Sequence, residues 1–265
     1  MKTLQIIDHI TLWLKNYAKA SGMAGFVVGV SGGIDSAVTS TLCARTGLKV
    51  LVLNMPIHQA SDQVSRSSAH IKWLENTYDN VTGQDMDLTP AFDQIKASFP
   101  DPIQDGLTMA NTRSRLRMLT LYAFASHHKR LVAGTGNRVE DFGVGFYTKY
   151  GDGGVDLSPI ADLMKSEVYA LGKELGVSRD ILNARPTDGL WDDDRTDENQ
   201  IGATYAELEW AMAHLDLKGR DKEGADESLT PRQKEVLEIF NGFHAANRHK
   251  MDPIPVCMIP EGLKR

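Results

Sequence analysis

Ser31-Gly32-Gly33-Ile34-Asp35-Ser36 follows the apolar run Phe26-Val27-Val28-Gly29-Val30, and a segment able to form a helix continues from it to Ala44. A buried strand, a glycine turn and a helix N-terminus in that order make an anion site. The turn's N–H groups and the positive end of the helix dipole converge on one point. Gly32 and Gly33 permit positive φ and let the backbone approach a ligand closely. Ser31 and Ser36 add hydroxyl donors, and Asp35 is placed to hold a cation that shields phosphate charge. The run is not a Walker loop, which needs Gly, four residues and Gly-Lys-Ser/Thr, and no G-x-G-x-x-G follows the strand. An ordinary tight turn is the alternative on this stretch alone.

A second turn ends the run Leu131-Val132-Ala133-Gly134-Thr135-Gly136-Asn137. In open α/β sheets ligands sit outside the carboxyl ends of the strands, so this turn is expected to face the first. Glu140 and Asp141 follow within one turn's reach. A carboxylate there would complete a magnesium site with Asp35, since Mg2+ takes one or two carboxylates plus phosphate oxygens. A solvated acidic surface is the alternative for either acid. Asp192 to Asp194 reads as a solvated loop and is left out of the metal site.

Positioning these turns requires a particular scaffold. Leu4, Ile7, Ile10, Leu14 and Tyr17 recur at helical spacing, which predicts a leading amphipathic helix over about the first twenty residues. After the first turn, a helix to Arg45 is closed by Gly47, and Lys49 to Asn54 forms a second buried strand. Strand, helix, strand at this spacing is a βαβ unit and implies a parallel sheet. Helices are expected over Ser61–Asn76, from Thr89-Pro90 onward, over Met109–His128, Met164–Leu175 and Arg179–Leu182. Short strands are expected within 78–88 and over Lys129–Ala133. The glycine-rich stretch 134–160 reads as a functional loop, and Trp191–Asn199 as an exposed, mobile acidic one. Tyr205–Leu215 and Pro231–Asn247 read as closing helices joined by a charged linker over 216–229, and Met251–Arg265 as irregular. The fold class is therefore α/β, a doubly wound, mainly parallel sheet flanked by helices.

Composition narrows the function. Of 265 residues, 42% are hydrophobic and 24% charged, ordinary for a globular protein with a substantial core. The net charge of −6 gives no general basic footprint, so nucleic acid is not an expected partner. Cys43 and Cys257 lie far apart in no metal-type spacing and read as free thiols, which fits a reducing compartment. Asp8 and His9 interrupt the first apolar stretch, unlike a signal-peptide core, and no run approaches the roughly 18 apolar residues of a membrane span. A cytoplasmic location with no membrane association is the expectation.

Ser-Gly-Gly-x-Asp-Ser after a strand resembles the pyrophosphate loop of the N-type ATP pyrophosphatases, which split ATP to AMP and pyrophosphate and hold the leaving pyrophosphate on the turn. The decapeptide Gly145-Phe146-Tyr147-Thr148-Lys149-Tyr150-Gly151-Asp152-Gly153-Gly154 is more specific. Together with Ser31–Ser36 and Asn111-Thr112-Arg113-Ser114-Arg115-Leu116-Arg117-Met118 it is similar to the NAD synthetase family. The similarity continues through Asp156-Leu157-Ser158-Pro159-Ile160, Lys165, Pro186-Thr187, Thr196-Asp197-Glu198 and His249-Lys250. The matching blocks run from residue 29 to 250 in the family's order.

That resemblance implies a single domain over 1–265 with an adenine nucleotide alpha hydrolase-like, Rossmann-like fold. It implies amidation of deamido-NAD by ammonia, with ATP and Mg2+, through an acyl-adenylate, and a homodimer with the deamido-NAD site at the subunit interface near the helix over 109–128. Carried over residue by residue, Gly29, Val30, Ser31, Gly32, Gly33, Ile34, Asp35, Ser36, Thr135, Lys165 and Thr187 would contact ATP. Arg115, Lys149, Asp156, His249 and Lys250 would contact deamido-NAD. Asp35 and Glu140 would hold the magnesium, and Asp35, Lys149 and Lys165 would carry catalysis by charge stabilisation.

Arg113, Arg115 and Arg117 alternate on a helix and cannot all face one ligand. Phe146 and Tyr147 are candidates to stack on a nicotinate ring or to fill core. The chain has Gly-Thr-Gly-Asn where many bacterial members have Gly-Thr-Asp-His, and Pro-Thr-Asp-Gly for Pro-Thr-Ala-Asp. The first of these resembles archaeal and glutamine-dependent relatives. The leading helix runs almost directly into the first turn, leaving no room for a glutaminase domain, so free ammonia is the expected nitrogen donor. Another ATP pyrophosphatase and a non-catalytic adenine-nucleotide sensor are the alternatives.

Overall fold

The computed structural model describes residues 1–187, 189–191, 195–218 and 229–264. Four parallel strands form one sheet: β1 (Gly25–Gly29), β2 (Lys49–Asn54), β3 (Val81–Asp85) and β4 (Leu131–Val132), in the spatial order β3-β2-β1-β4. β1 pairs with β2 from Gly25↔Lys49 to Gly29↔Leu53 and with β4 at Phe26↔Leu131 and Val27↔Val132. The chain adds strands on one side of β1 and then returns to the other side. The crevice at the carboxyl ends of β1 and β4 is therefore the switch point, where this class of fold binds its ligands.

Alternation along the strands assigns each face a core. Phe26, Val28, Val50 and Val52 pack with α1 (Thr3–Ala20), α2 (Ile34–Arg45) and α6 (Lys165–Glu174). Val27, Leu51, Leu53 and Val132 pack on the opposite face with α4 (Thr89–Ser98) and α5 (Gly106–His128). A third cluster joins α9 (Tyr205–Lys218) and α10 (Pro231–Met251) to a π-helical turn over Val139–Val144, through Val139, Val144, Leu208 and Phe240. Helices α3 (Ser61–Thr77), α7 (Arg179–Leu182) and α8 (Asp197–Ile201) complete the set.

The structure departs from the sequence expectations at identifiable points. Lys129 is not strand: with φ 52 it is the left-handed cap of α5, and Arg130 N–H closes that helix onto Ala125 O. The acidic stretch over 191–199 is not loop throughout, because Thr196 caps α8 and Asp197 is buried. Asp192–Asp194 and the greater part of the charged linker lie outside the described residues. Cys43 is buried and Cys257 exposed, neither in a disulfide. No helix among the described residues is long and apolar enough to cross a membrane.

One core contact makes stability depend on pH. His70 of α3 is buried, with Nε2 3.0 Å from Ser40 Oγ and its ring stacked on Trp73. Burial pushes its imidazole down to about 4. The unfolded chain binds that proton near the ordinary histidine value, so stability is full above pH 6.5 and falls as pH drops towards 4. The loss should reach about 3 kcal/mol. Urea titrations across this range should show the decline, and His70→Gln should flatten it.

Candidate active site

The first turn is built by its neighbours as much as by its own residues. Gly32 has φ +80, and a Cβ there would lie 2.8 Å from Gln63 O and 3.1 Å from Ser67 Oγ of α3. Glycine is therefore required on both conformational and steric grounds. Ser31, exposed, and Ser36, buried, brace the turn between them. Ser36 Oγ accepts from Ser31 N–H at 3.2 Å and donates to Gly33 O at 3.0 Å, and the two hydroxyls are 3.2 Å apart. Gly33 is the N-cap of α2 and offers no side chain to it, so the first-turn N–H groups are left uncapped beside a cavity.

The second turn delivers the polar centre. Asn137, fully buried, donates from Nδ2 to Asp35 Oδ1 at 3.1 Å and accepts the N–H groups of Val139 and Glu140 on Oδ1. One side chain thus starts the π-helical turn and fixes the first carboxylate. Lys165, the opening residue of α6, inserts its ammonium between Asp35 Oδ2 at 2.6 Å and Glu140 Oε1 at 3.0 Å. Burial alone would lower its pKa, but the two carboxylates overcome this and hold it above the ordinary lysine range. Burial in turn raises Asp35, with Lys165 opposing. Asp141, beside them, is pushed up to about 8 by burial and by the charges of Glu140, Asp152 and Asp35. A Cβ on Gly136 would lie 2.0 Å from Asp141 Oδ1, so a larger residue there would displace the Asp141 carboxylate.

These parts line one cavity of about 250 Å³. Its walls include residues 29–36, Thr135, Lys165 and Thr187 from the ATP set, together with Glu140 of the metal pair and Ser114, Arg117, Phe146, Asp152 and Pro186. Asp152 accepts from Ser114 Oγ at 2.7 Å and from Thr148 N–H at 2.9 Å, while burial raises its carboxyl above the usual range. The three arginines of α5 diverge as helical spacing requires. Arg117 lines the cavity and donates to Met55 O and Gln59 Oε1, whereas Arg113 is buried over the Phe92 ring and donates to Leu190 O.

The residues expected to contact deamido-NAD form a separate group. Arg115 is exposed and reaches Lys149 O at 3.4 Å. Lys149 Nζ donates to His249 O, and Lys250 Nζ donates to Gly145 O at 2.6 Å and Tyr147 O at 2.7 Å. The end of α10 is thereby tied to the 145–154 loop, with the His249 ring itself exposed. Asp156 accepts from Val132 N–H at 2.8 Å and Tyr122 OH at 3.1 Å, at the end of β4. None of these five lines the cavity. Residues to which the sequence reading assigned no role do enter the polar centre: Asn137, Asp197 and Tyr205. Asn137 was visible in the Gly-Thr-Gly-Asn turn, while nothing local marks Tyr205.

Among the described residues no three His, Cys, Asp or Glu side chains cluster as a metal cage. Asp35 and Glu140 nevertheless converge on one ammonium. Two carboxylates beside a phosphate-sized space are the donor set Mg2+ takes when nucleotide oxygens and water supply the rest, so the residues fit that ion.

An open parallel sheet with its polar centre and cavity at the switch point places the protein in the Rossmann-like α/β class. Within that class the chain belongs to the NAD synthase family, whose model matches residues 6–253. It is 35% identical over 268 residues to an NH(3)-dependent NAD(+) synthetase of Alkaliphilus metalliredigens, covering 96% of this chain and 99% of the relative. A protein of the same description from Mannheimia succiniciproducens is 38% identical and matched over 94% of each chain. Among solved structures, an NMN synthetase from Francisella tularensis superposes with a TM-score of 0.81 at 30% identity, covering 98% of this chain and 99% of that one.

Proposed function

We propose that the chain is an ammonia-dependent NAD synthetase, amidating the nicotinate carboxylate of deamido-NAD with ATP and releasing AMP and pyrophosphate. The observation that carries this is the cavity in which an uncapped helix start, the turn after β4 and the buried Lys165 ammonium meet. Near full-length matches to relatives of that description support it.

A carboxylate is a poor acyl donor, so its oxygen attacks the α-phosphorus of ATP, an acyl-adenylate forms and pyrophosphate leaves. Negative charge grows on the phosphoryl oxygens, and the N–H groups of residues 32–36 and the Lys165 ammonium are fixed where they would stabilise it. Asp35 and Glu140 would hold Mg2+, which when bound supplies further positive charge to the phosphates. Ammonia then attacks the activated carbonyl, AMP departs and the nitrogen loses a proton. Of the carboxylates lining the cavity, Asp35 and Glu140 are engaged by Lys165, and Asp197 meets the Tyr205 hydroxyl. Asp152, which carries no ion pair among the described residues and accepts from Ser114 Oγ and Thr148 N–H on Oδ1 alone, would hold ammonium or take that proton. Asp152→Asn should raise the ammonium concentration needed for half-maximal rate by on the order of tenfold, with the KM for ATP little changed.

Arg115, Lys149, Asp156, His249 and Lys250 would meet deamido-NAD across an interface between two copies, in the cytoplasm. Lys149→Ala should raise the KM for deamido-NAD about tenfold, the cost of one charge-assisted contact, and should lower the melting temperature only slightly, since its bond to His249 O is exposed. Light scattering on the active protein should give a dimer, and a strictly monomeric active enzyme would dismiss the shared site.

A second reading, with the mononucleotide as substrate, has one observation in its favour: the 30% identity and close superposition to the NMN synthetase. One assay separates the two. Incubation with ATP, Mg2+ and ammonium, offering either deamido-NAD or nicotinate mononucleotide, should yield NAD and AMP from the first. Amide from the mononucleotide alone would select the second reading, and replacing ammonium by glutamine checks the nitrogen donor.

A further inference from the structure

Tyr205 stands where an apolar cluster would accept phenylalanine: its buried ring packs with Leu208, Ala211 and Val236 at the start of α9. Its hydroxyl leaves that cluster and enters the polar centre, 2.5 Å from Glu140 Oε1 and 3.1 Å from Asp197 Oδ2. Lys165 Nζ lies 4.6 Å from the centroid of the same ring. The tyrosine therefore touches both the carboxylate and the ammonium of the centre and links them to α8.

Glu140 shows what the contact does. Lys165 and Tyr205 both address Oε1, and no hydrogen bond from the described residues is directed at Oε2. A carboxylate gripped on one oxygen by two donors has its rotation fixed and its other oxygen available. A buried phenol costs free energy unless bonded, and here the bond is spent on a group beside the cavity. Outer partners of this kind orient metal-binding carboxylates.

We propose that Tyr205 is a positioning residue for the divalent cation: its hydroxyl gives its one proton to Glu140 Oε1 and so fixes the orientation of that carboxylate. The proposal rests on the reading that Asp35 and Glu140 hold the metal. Phenylalanine at 205 keeps the ring against Lys165 and within the apolar cluster, so Tyr205→Phe removes the hydroxyl alone.

The test is equilibrium dialysis of Mn2+ against the full chain with α,β-methylene-ATP on both sides of the membrane, where the excess Mn2+ on the protein side reads binding and needs no turnover. Tyr205→Phe should weaken Mn2+ binding about tenfold, within the range found for outer partners of metal ligands. Glu140→Gln is measured beside it and should weaken binding at least as much. A Tyr205→Phe chain with a lower melting temperature but Mn2+ affinity within about twofold of wild type would reduce the tyrosine to packing and overturn the proposal. If Glu140→Gln also leaves Mn2+ binding unchanged, the metal reading itself fails and the proposal falls with it. Formation of NAD by the wild type is scored separately and bears only on the reaction.

Discussion

Lys165→Met should lower kcat by on the order of 10²- to 10³-fold, the loss typical when one group that stabilises transition-state charge is removed from a buried site. The same change should destabilise the ligand-free chain by about 3 kcal/mol or more, because Asp35 and Glu140 keep their burial and lose the one ion-pair partner they have among the described residues. Methionine matches the length of the lysine stem, so the buried volume changes little. The two effects are separable by pH. Without the ammonium nothing opposes the burial that already raises Asp35, so the variant is relatively most stable below pH 4 and loses stability as pH rises. Denaturant titrations at pH 5 and pH 8 read the stability, and steady-state rates with saturating ATP read the chemistry. A variant with near-normal kcat would remove Lys165 from the reaction and leave it a structural counter-ion.

Gly32→Ala should be nearly as damaging for a different reason. The residue sits at φ +80, where an L side chain costs about 1–2 kcal/mol, and its new methyl would press on the Gln63 carbonyl at 2.8 Å. That contact is with helix backbone, which cannot swing aside. The turn must shift instead, and its N–H groups move with it. A displacement near 1 Å of positioning groups costs about 10²-fold in rate, so activity should fall further than stability does. Gly33→Ala provides the contrast in stability: Gly33 has φ −94, and the nearest atom to a Cβ is the Ser31 hydroxyl at 3.4 Å. Its melting temperature should stay close to wild type while that of Gly32→Ala falls. Equal melting temperatures would refute the steric account of Gly32.

How far each of these arguments could be made in advance depends on the distance over which its cause acts. Gly32, the strand before it and the helix after it are written in adjacent residues, so the buried strand over the apolar run from Phe26 and the helical run to Ala44 were legible. The π-helical turn was not, since Asn137 directs it by accepting two N–H groups in the same stroke as it holds Asp35. Lys129 failed as strand because the cap of α5 falls on a residue with no turn signature. Asp197 was grouped with its acidic neighbours by composition, yet the Thr196 cap folds it into α8 and turns it towards Tyr205.

By itself the sequence determined the alternation of strand and helix, the two turns, the family and the residue types available for phosphate chemistry, since each depends on patterns within a few residues of one another. Only the tertiary structure decided that Lys165 sits between Asp35, 130 residues away, and Glu140, that Tyr205 closes the cluster from α9, and that Arg117 lines the cavity while Arg115 faces outward. Ion pairing among buried groups is selected by the packing of whole helices onto both faces of a sheet, because an unpaired charge there is too costly to leave in place.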